Sequence, residues 1–106
     1  MSFINLEYFK EKLLKEKERV LKNIEEINAD LARIVAEDEI NDMEDLAQLE
    51  MENERDKALL KSLNAELKEI NDALRRIEEG TYGIDINTKK PIPLLKLLVN
   101  PLLTKA

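Results

Sequence analysis

The feature that most constrains the fold is a pair of long runs in which apolar residues recur every three or four positions. Their apolar positions are Leu6, Phe9, Leu13, Val20, Ile24, Ile27, Leu31 and Ile34, then Leu46, Leu49, Leu60, Leu63, Leu67, Ile70, Leu74 and Ile77. This spacing places the apolar side chains on one face of a helix. The polar residues Asn53 and Asp56 fill two positions of the second seam, where they are expected to set the register of pairing. The pattern predicts two long helices paired as a left-handed coiled coil.

Neither run contains Pro or Gly, so neither helix has a residue that breaks it. The apolar spacing is interrupted around Glu16 and Lys17, but the register is lost around Asp38 to Glu44, where the bend is expected. Asn41 or Asp42 is suited to cap the second helix. We therefore predict a mainly all-α fold, an antiparallel coiled-coil hairpin over residues 1–80 with an acidic tip at about residues 38–47. A rise of about 1.5 Å per residue makes each arm roughly 50 Å long.

Composition excludes several classes of function. The 106 residues include no Cys and no His, so zinc and iron–sulfur ligands and the usual general base are missing. We expect no cofactor, no metal and no enzyme activity, because an exposed tip offers its carboxylates no enclosed pocket. No apolar run approaches the about 18 residues of a membrane span, and no signal peptide is evident, so a cytoplasmic protein is expected. The net charge of -6 argues against direct binding to nucleic-acid phosphates.

Negative charge is concentrated in one window, Ile34 to Glu54, which holds nine acidic residues and no Lys or Arg. The simplest interpretation is a solvated bend between two helices. A calcium-binding loop is not indicated, because the segment lacks the Asp-x-Asp-x-Asp-Gly order and the distal Glu of an EF-hand. The acidic tip is therefore either a solvated bend or a surface for a partner.

The last segment, residues 81–106, differs in character from the helices, and we predict that it forms a small C-terminal knob. Gly80 is suited to end the second helix in the left-handed conformation. A short helix is expected from Pro93 to Val99. A short strand is predicted by the alternating residues Tyr82, Ile84 and Ile86.

The knob is more apolar than a segment of its size can bury within itself. Its apolar residues include Leu94, Leu95, Leu97, Leu98, Val99, Leu102 and Leu103. We expect them to pack on the N-terminal Phe3, Ile4, Tyr8 and Phe9, or on another protein. A homodimer formed through this apolar tail is one such arrangement.

Two motifs resemble a known family. The run ALRRIEEGTYGIDINTKKPIPLLKL, from Ala73 to Leu97, is similar to the C-terminal signature of the DksA/TraR family of bacterial transcription factors. The tip residues Asp42, Asp45 and Ala47 match that family's Asp-x-x-Asp-x-Ala motif, at a matching distance from the C-terminal signature. The resemblance covers about residues 35–101.

The resemblance implies a protein that binds RNA polymerase directly and does not bind DNA. It further implies that the coiled coil enters the polymerase secondary channel, with Asp42, Asp45 and Ala47 as the functional tip near the active site. Acidic groups placed beside a basic, metal-containing catalytic centre can alter its mobile elements and the stability of promoter complexes. Ala47 would be needed for its small size at a close contact.

The sequence also departs from the family pattern. Asp85 and Thr88 stand where the family has its first two zinc-binding cysteines, and the second pair would fall at and beyond Ala106. We therefore expect a degenerate zinc-finger-like segment without metal ligands, in which apolar packing offsets the missing zinc. Glu69 and Asn100 replace a Lys and an Arg of members that respond to the alarmone ppGpp, so charge opposes phosphate binding there.

A structural coiled-coil adaptor or scaffold that does not bind polymerase is the alternative interpretation. In that case the acidic tip is only a solvated bend, and the motif match carries no function. The two interpretations differ in one observable: a regulator loses function when its tip is mutated, whereas a scaffold depends on the outer faces of its arms.

Overall fold

A computed structural model of the chain describes residues 5–36 and 43–106, with side chains placed for residues 5–33 and 47–106. The described elements are α1 (Leu6–Ala36), α2 (Met43–Glu79) and α3 (Leu94–Val99). The helices α1 and α2 form the helical hairpin that the apolar spacing predicts. None of the described helices combines the length and the apolar character needed to cross a membrane.

By packing, the chain divides into two compact units, and each contains a segment of both long helices. We refer to Met1–Glu18 with Lys68–Ala106 as the tail unit, and to Arg19–Leu67 as the arm unit. The boundary expected from sequence character, between residues 80 and 81, stays a prediction.

The tail unit contains most of the buried apolar side chains that the structure describes. They are Phe9, Leu13, Ile70, Ala73, Tyr82, Ile92 and Leu97. The Phe9 and Tyr82 rings lie 5.5 Å apart between centroids, so residues of the knob pack on the start of α1. Burying one large apolar side chain is worth about 1.5–3 kcal/mol, and this cluster is therefore a substantial source of stability. The expected partners Phe3 and Ile4 lie outside the described residues.

Among its described side chains, the arm unit buries fewer apolar residues than the tail unit, and it includes an acidic residue in its seam. Val20, Ile27 and Leu63 are buried, but so is Asp56, which is only 7% exposed. On the outside of this unit, Arg19 Nη2 lies 2.8 Å from Glu66 Oε1. The polar seam position predicted at Asp56 is thus an interior position of the paired helices.

The first helix begins with a side-chain cap. Asn5 Oδ1 accepts a hydrogen bond of 3.1 Å from the backbone N–H of Tyr8, which satisfies one of the free donors at the helix start. The residues expected to cap the second helix, Asn41 and Asp42, lie outside the described residues.

The second helix ends at Gly80, as predicted. Gly80 has φ +78°, a left-handed conformation that glycine adopts without strain. The N–H of Thr81 donates to Arg76 O at 2.9 Å and that of Gly80 to Ile77 O at 3.3 Å, the two bonds of a Schellman motif. A Cβ at Gly80 would meet no atom within 4 Å, so the backbone angle alone requires the glycine.

The predicted strand at Tyr82, Ile84 and Ile86 does not form among the described residues. One antiparallel bridge joins Ile84 to Pro91, flanked by hydrogen bonds from Asp85 N to Lys90 O and from Ile92 N to Gly83 O, both 2.8 Å. The chain turns directly after Ile84, and Pro91 has no N–H with which to extend a ladder. Two residues therefore pair where a strand was expected.

Candidate functional site

Two of the three predicted tip residues, Asp45 and Ala47, lie near the start of α2. Asp42 lies outside the described residues, and Asp45 lies in α2, where the structure describes the backbone alone. Ala47, two residues further along the same helix, is exposed. The structure therefore places two of the three tip residues on one helix. That all three form one functional tip stays a prediction.

A shallow groove runs along the surface of α2 beside Ala47. Its lining residues are Ala47, Gln48, Met51, Glu52 and Arg55. They recur at intervals of three and four residues, which brings them onto one side of the helix. Met51 is 73% exposed, and a flexible thioether in such a position adapts to varied partner surfaces.

Sequence reasoning singled out Ala47 and overlooked the other groove residues. The signal that identifies them is the helical spacing from Ala47 through Met51 to Arg55. Further along the acidic window, Glu50 and Glu54 are also exposed. This part of α2 offers a partner negative charge together with a small apolar contact.

A cleft in the tail unit lies between α2 and residues 100–105. Its lining residues are Glu69, Asp72 and Arg76 of α2, with Asn100, Leu102, Leu103, Thr104 and Lys105. Glu69 and Asn100, which the sequence comparison paired as the altered alarmone positions, line this same cleft. The structure thus brings together two residues that are 31 positions apart in sequence.

Ion pairs occupy one wall of the cleft. Asp72 Oδ2 lies 3.4 Å from Lys68 Nζ, and Asp72 Oδ1 lies 3.4 Å from Arg75 Nη1. The carboxylate of Asp72 already has two cations beside it. The carboxylate on this wall that remains available to a ligand is therefore that of the exposed Glu69. Arg76 and Lys105 supply positive charge elsewhere, so the cleft has mixed polarity.

Tyr82 anchors the chain that forms the opposite wall. Its hydroxyl donates a 2.8 Å hydrogen bond to Pro101 O. Burial raises the pKa of Tyr82 to about 12, and the nearby positive charge of Arg76 opposes that shift. The phenol therefore remains a hydrogen-bond donor throughout the neutral range.

Asp85 is a buried carboxylate surrounded by backbone donors, and its side chain is 5% exposed. Its Oδ1 accepts hydrogen bonds from Asn87 N at 2.7 Å and Thr88 N at 3.1 Å, and its Oδ2 accepts one from Ala106 N at 2.8 Å. The bond from Ala106, followed by those from Asn87 and Thr88, lowers the pKa of Asp85. The carboxylate is therefore ionised at neutral pH.

The residues at the expected zinc position do not fit a zinc ion. Zinc in a structural site takes four ligands, usually Cys or His, and the chain has neither residue type. Both oxygens of Asp85 already accept hydrogen bonds, and Thr88 Oγ1 accepts one from Lys90 N at 3.3 Å. Within the described parts of the chain, no group of three or more acidic side chains is arranged to hold a metal ion.

Comparison with known proteins gives a consistent set of relatives, although the chain matches no family model. It is 38% identical over 103 residues to the RNA polymerase-binding transcription factor DksA of Caulobacter vibrioides, covering 93% of this chain and 68% of that protein. An uncharacterized protein of Aquifex aeolicus is 38% identical over 101 residues, covering 91% of this chain and 67% of the relative.

Among solved structures, the transcription factor DksA2 from Pseudomonas aeruginosa resembles this chain with a TM-score of 0.84 and 29% sequence identity. The match covers 95% of this chain and 76% of that structure. The similarity therefore extends over the long helices and the tail together.

Proposed function

The chain belongs to the DksA/TraR family, as a member without the zinc-finger cysteines, and from this membership we propose that it is a transcription regulator that binds RNA polymerase directly. The observation that carries the proposal is the 38% identity, over 93% of the chain, to a protein named as an RNA polymerase-binding transcription factor. Such a regulator acts in the cytoplasm with the polymerase. Catalysis and sequence-specific binding to nucleic acid have no part in the proposal.

In the proposed mechanism, the helical hairpin enters the secondary channel and brings Asp42, Asp45 and Ala47 near the active site. Acidic side chains at that position would interact with a basic, metal-containing centre and with the mobile elements around it. The exposure of Ala47 and the absence of Lys and Arg from the window Ile34 to Glu54 support this mechanism.

The groove beside Ala47 supports a close contact at the tip. A methyl side chain at position 47 allows a partner to approach the helix backbone, while Met51 offers a flexible apolar contact four residues further on. A larger residue at position 47 would hold the partner away from the helix. We propose that Ala47 and Met51 contact a mobile element of the polymerase.

The tail cleft argues against a requirement for ppGpp. Glu69 places a carboxylate in the cleft where a phosphate-binding site needs a cation, and Asn100 adds no charge. We expect the same transcriptional effect in the presence and absence of ppGpp. An effect that depends on ppGpp would show that Arg76 and Lys105 outweigh Glu69.

We also propose that the chain forms a homodimer through its apolar tail. Leu95 and Val99 on α3 are 77% and 87% exposed, and an apolar surface of this kind favours association. Sedimentation velocity of the wild-type chain and of a Leu95→Glu variant tests it. A monomer in both samples, at all concentrations, would contradict the dimer.

The central experiment measures binding and activity separately. Labelled protein is titrated with purified core RNA polymerase from the same source, and binding is followed by fluorescence anisotropy. The Asp45→Asn variant goes through the same titration and through an in vitro transcription assay. We expect saturable binding of both proteins and loss of the transcriptional effect in the variant alone, because the substitution removes charge without changing side-chain size.

Asp30→Asn is the matched control, since it makes the same chemical change at an exposed position of α1. It should bind and act like the wild type. Unchanged activity of Asp45→Asn would contradict the role of the acidic tip, whereas the absence of binding at micromolar polymerase would favour a coiled-coil scaffold.

A further inference from the structure

Asp85 connects parts of the tail that are distant in sequence. Its bonds to Asn87 N and Thr88 N are local, but its bond to Ala106 N spans 21 residues. A second hydrogen bond, from Ile86 N to Thr104 O at 2.9 Å, runs beside it. We propose that the Asp85 carboxylate is a metal-free clasp that holds residues 104–106 against the turn after Ile84, and so positions the neighbouring residues of the cleft wall.

The clasp requires the chemistry of an ionised carboxylate. Three backbone N–H groups point at Asp85, and a carboxylate is the side-chain group that offers only acceptors, on two separate oxygens. An amide at this position would keep one oxygen for Asn87 and Thr88. Its NH₂ group would then face the N–H of Ala106, donor against donor, and the long-range bond would be lost.

The same surroundings disfavour a metal ion at Asp85. The positive ends of three N–H dipoles face the carboxylate, and the charge of Lys105 acts on it as well. A cation bound there would have to displace these hydrogen bonds and approach Lys105. The residues that replace the expected zinc ligands therefore form a different structure, in which backbone donors take the place of the metal.

The clasp also helps to fix the wall of the cleft, because this wall is anchored at both of its ends. Tyr82 OH holds Pro101 O at one end of the wall, and Asp85 holds Ala106 N at the other. Between these two anchors lie the lining residues Leu102, Leu103, Thr104 and Lys105. Asp85 is thus a positioning residue for the Thr104 and Lys105 side of the cleft.

The test is residue-resolved amide hydrogen exchange, measured by NMR on the full chain as wild type, Asp85→Asn and Asp85→Ala. In Asp85→Asn we expect exchange at Ala106 and Ile86 to accelerate by roughly tenfold, the change that loss of an ordinary hydrogen bond produces, with little change at Asn87 and Thr88. In Asp85→Ala we expect all four amides to lose protection. Asp30→Asn is the control for the loss of one exposed charge.

Whether the clasp forms without a metal ion is tested on the same samples. Protein purified from zinc-supplemented cells is expected to contain far less than one zinc per chain, and a chelator is expected to leave exchange at Ala106 unchanged. Stoichiometric zinc, or faster exchange at Ala106 after chelation, would overturn the proposal. So would unchanged protection of Ala106 in both Asp85 variants, and none of these outcomes depends on polymerase binding.

Discussion

The tail unit and the arm unit use the same two helices but are held together by different interactions. The tail unit buries an aromatic and aliphatic cluster and adds two specific anchors, the Tyr82 hydroxyl and the Asp85 carboxylate. Among its described side chains, the arm unit buries fewer apolar residues, and it also buries Asp56. Of the two units, the arm unit contains the exposed acidic surface of α2.

This difference teaches where stability and proposed function reside. Buried apolar surface and satisfied polar groups stabilise the tail unit. In the arm unit, the buried Asp56 occupies a seam position where it is expected to set the register of pairing, and the exposed acids of α2 form the surface that the proposed contact with polymerase uses. Removing a buried apolar side chain from the tail unit should therefore lower the free energy of unfolding, whereas replacing the buried Asp56 of the arm unit with an apolar residue should raise it.

The largest effect is expected in the tail cluster. Leu97 is fully buried, and Leu97→Ala should lower the free energy of unfolding by about 3 kcal/mol, because it removes apolar contacts and leaves a cavity. Urea denaturation measures the change. The matched control is Leu95→Ala on the same helix, where the side chain is 77% exposed and the change should stay under about 0.5 kcal/mol. Equal effects of the two substitutions would mean that α3 does not pack as described.

An effect of opposite sign is expected in the arm seam. Asp56→Leu should raise the free energy of unfolding by about 1 kcal/mol, because it replaces a buried carboxylate with apolar contact. The measurement is again urea denaturation, with Lys57→Leu at the adjacent exposed position as the control. A loss of stability in Asp56→Leu would show that the carboxylate has a favourable partner in the seam.

A pH-dependent effect of similar size is expected at Tyr82. Tyr82→Phe removes the hydrogen bond to Pro101 and should lower the free energy of unfolding by about 1 kcal/mol near neutral pH. The pKa of Tyr82 is raised from 10.0 to about 12 in the folded chain, so its contribution is complete below pH 10 and is lost as pH rises towards 12. The difference in stability between wild type and Tyr82→Phe, measured across this interval, should shrink and then change sign, because only the wild type carries a buried phenol that must stay protonated. A constant difference would contradict the burial of the phenol.

The helices were predictable because their determinants are local. The three-and-four spacing of apolar residues identifies α1 and α2, and Gly80 marks the end of α2 because the backbone there requires a positive φ. The helix predicted after Pro93 is also present. Each of these features depends on neighbouring residues, and a sequence displays neighbours directly.

Specific polar contacts between distant residues were not predictable, although the packing of the knob on Phe9 was. The bond between Asp85 and Ala106 joins residues 21 positions apart, and nothing in the local sequence indicates it. Apolar packing alone was expected to offset the missing zinc, and Ile92 and Leu97 do pack, but the polar clasp was overlooked. The prediction of a strand was wrong for a related reason. The number of residues that pair depends on the partner segment, and here the partner of Ile84 is Pro91.

The candidate site was predictable from the family motif more than from charge or apolar spacing. The motif singled out Asp42, Asp45 and Ala47, whereas exposure adds Met51 and the rest of the groove. Charge alone did not distinguish a functional tip from a solvated bend. The distinction requires a measurement that locates the tip in the complex with polymerase.

That measurement is site-specific photocross-linking. A photoreactive residue is placed at Gln48, exposed in the groove beside Ala47, or at Leu59, exposed further along α2, and cross-linked polymerase peptides are identified by mass spectrometry. We expect position 48 to cross-link to polymerase segments that border the active site, and position 59 to segments nearer the mouth of the secondary channel. Cross-links from position 48 confined to the outer surface of the polymerase would contradict the account.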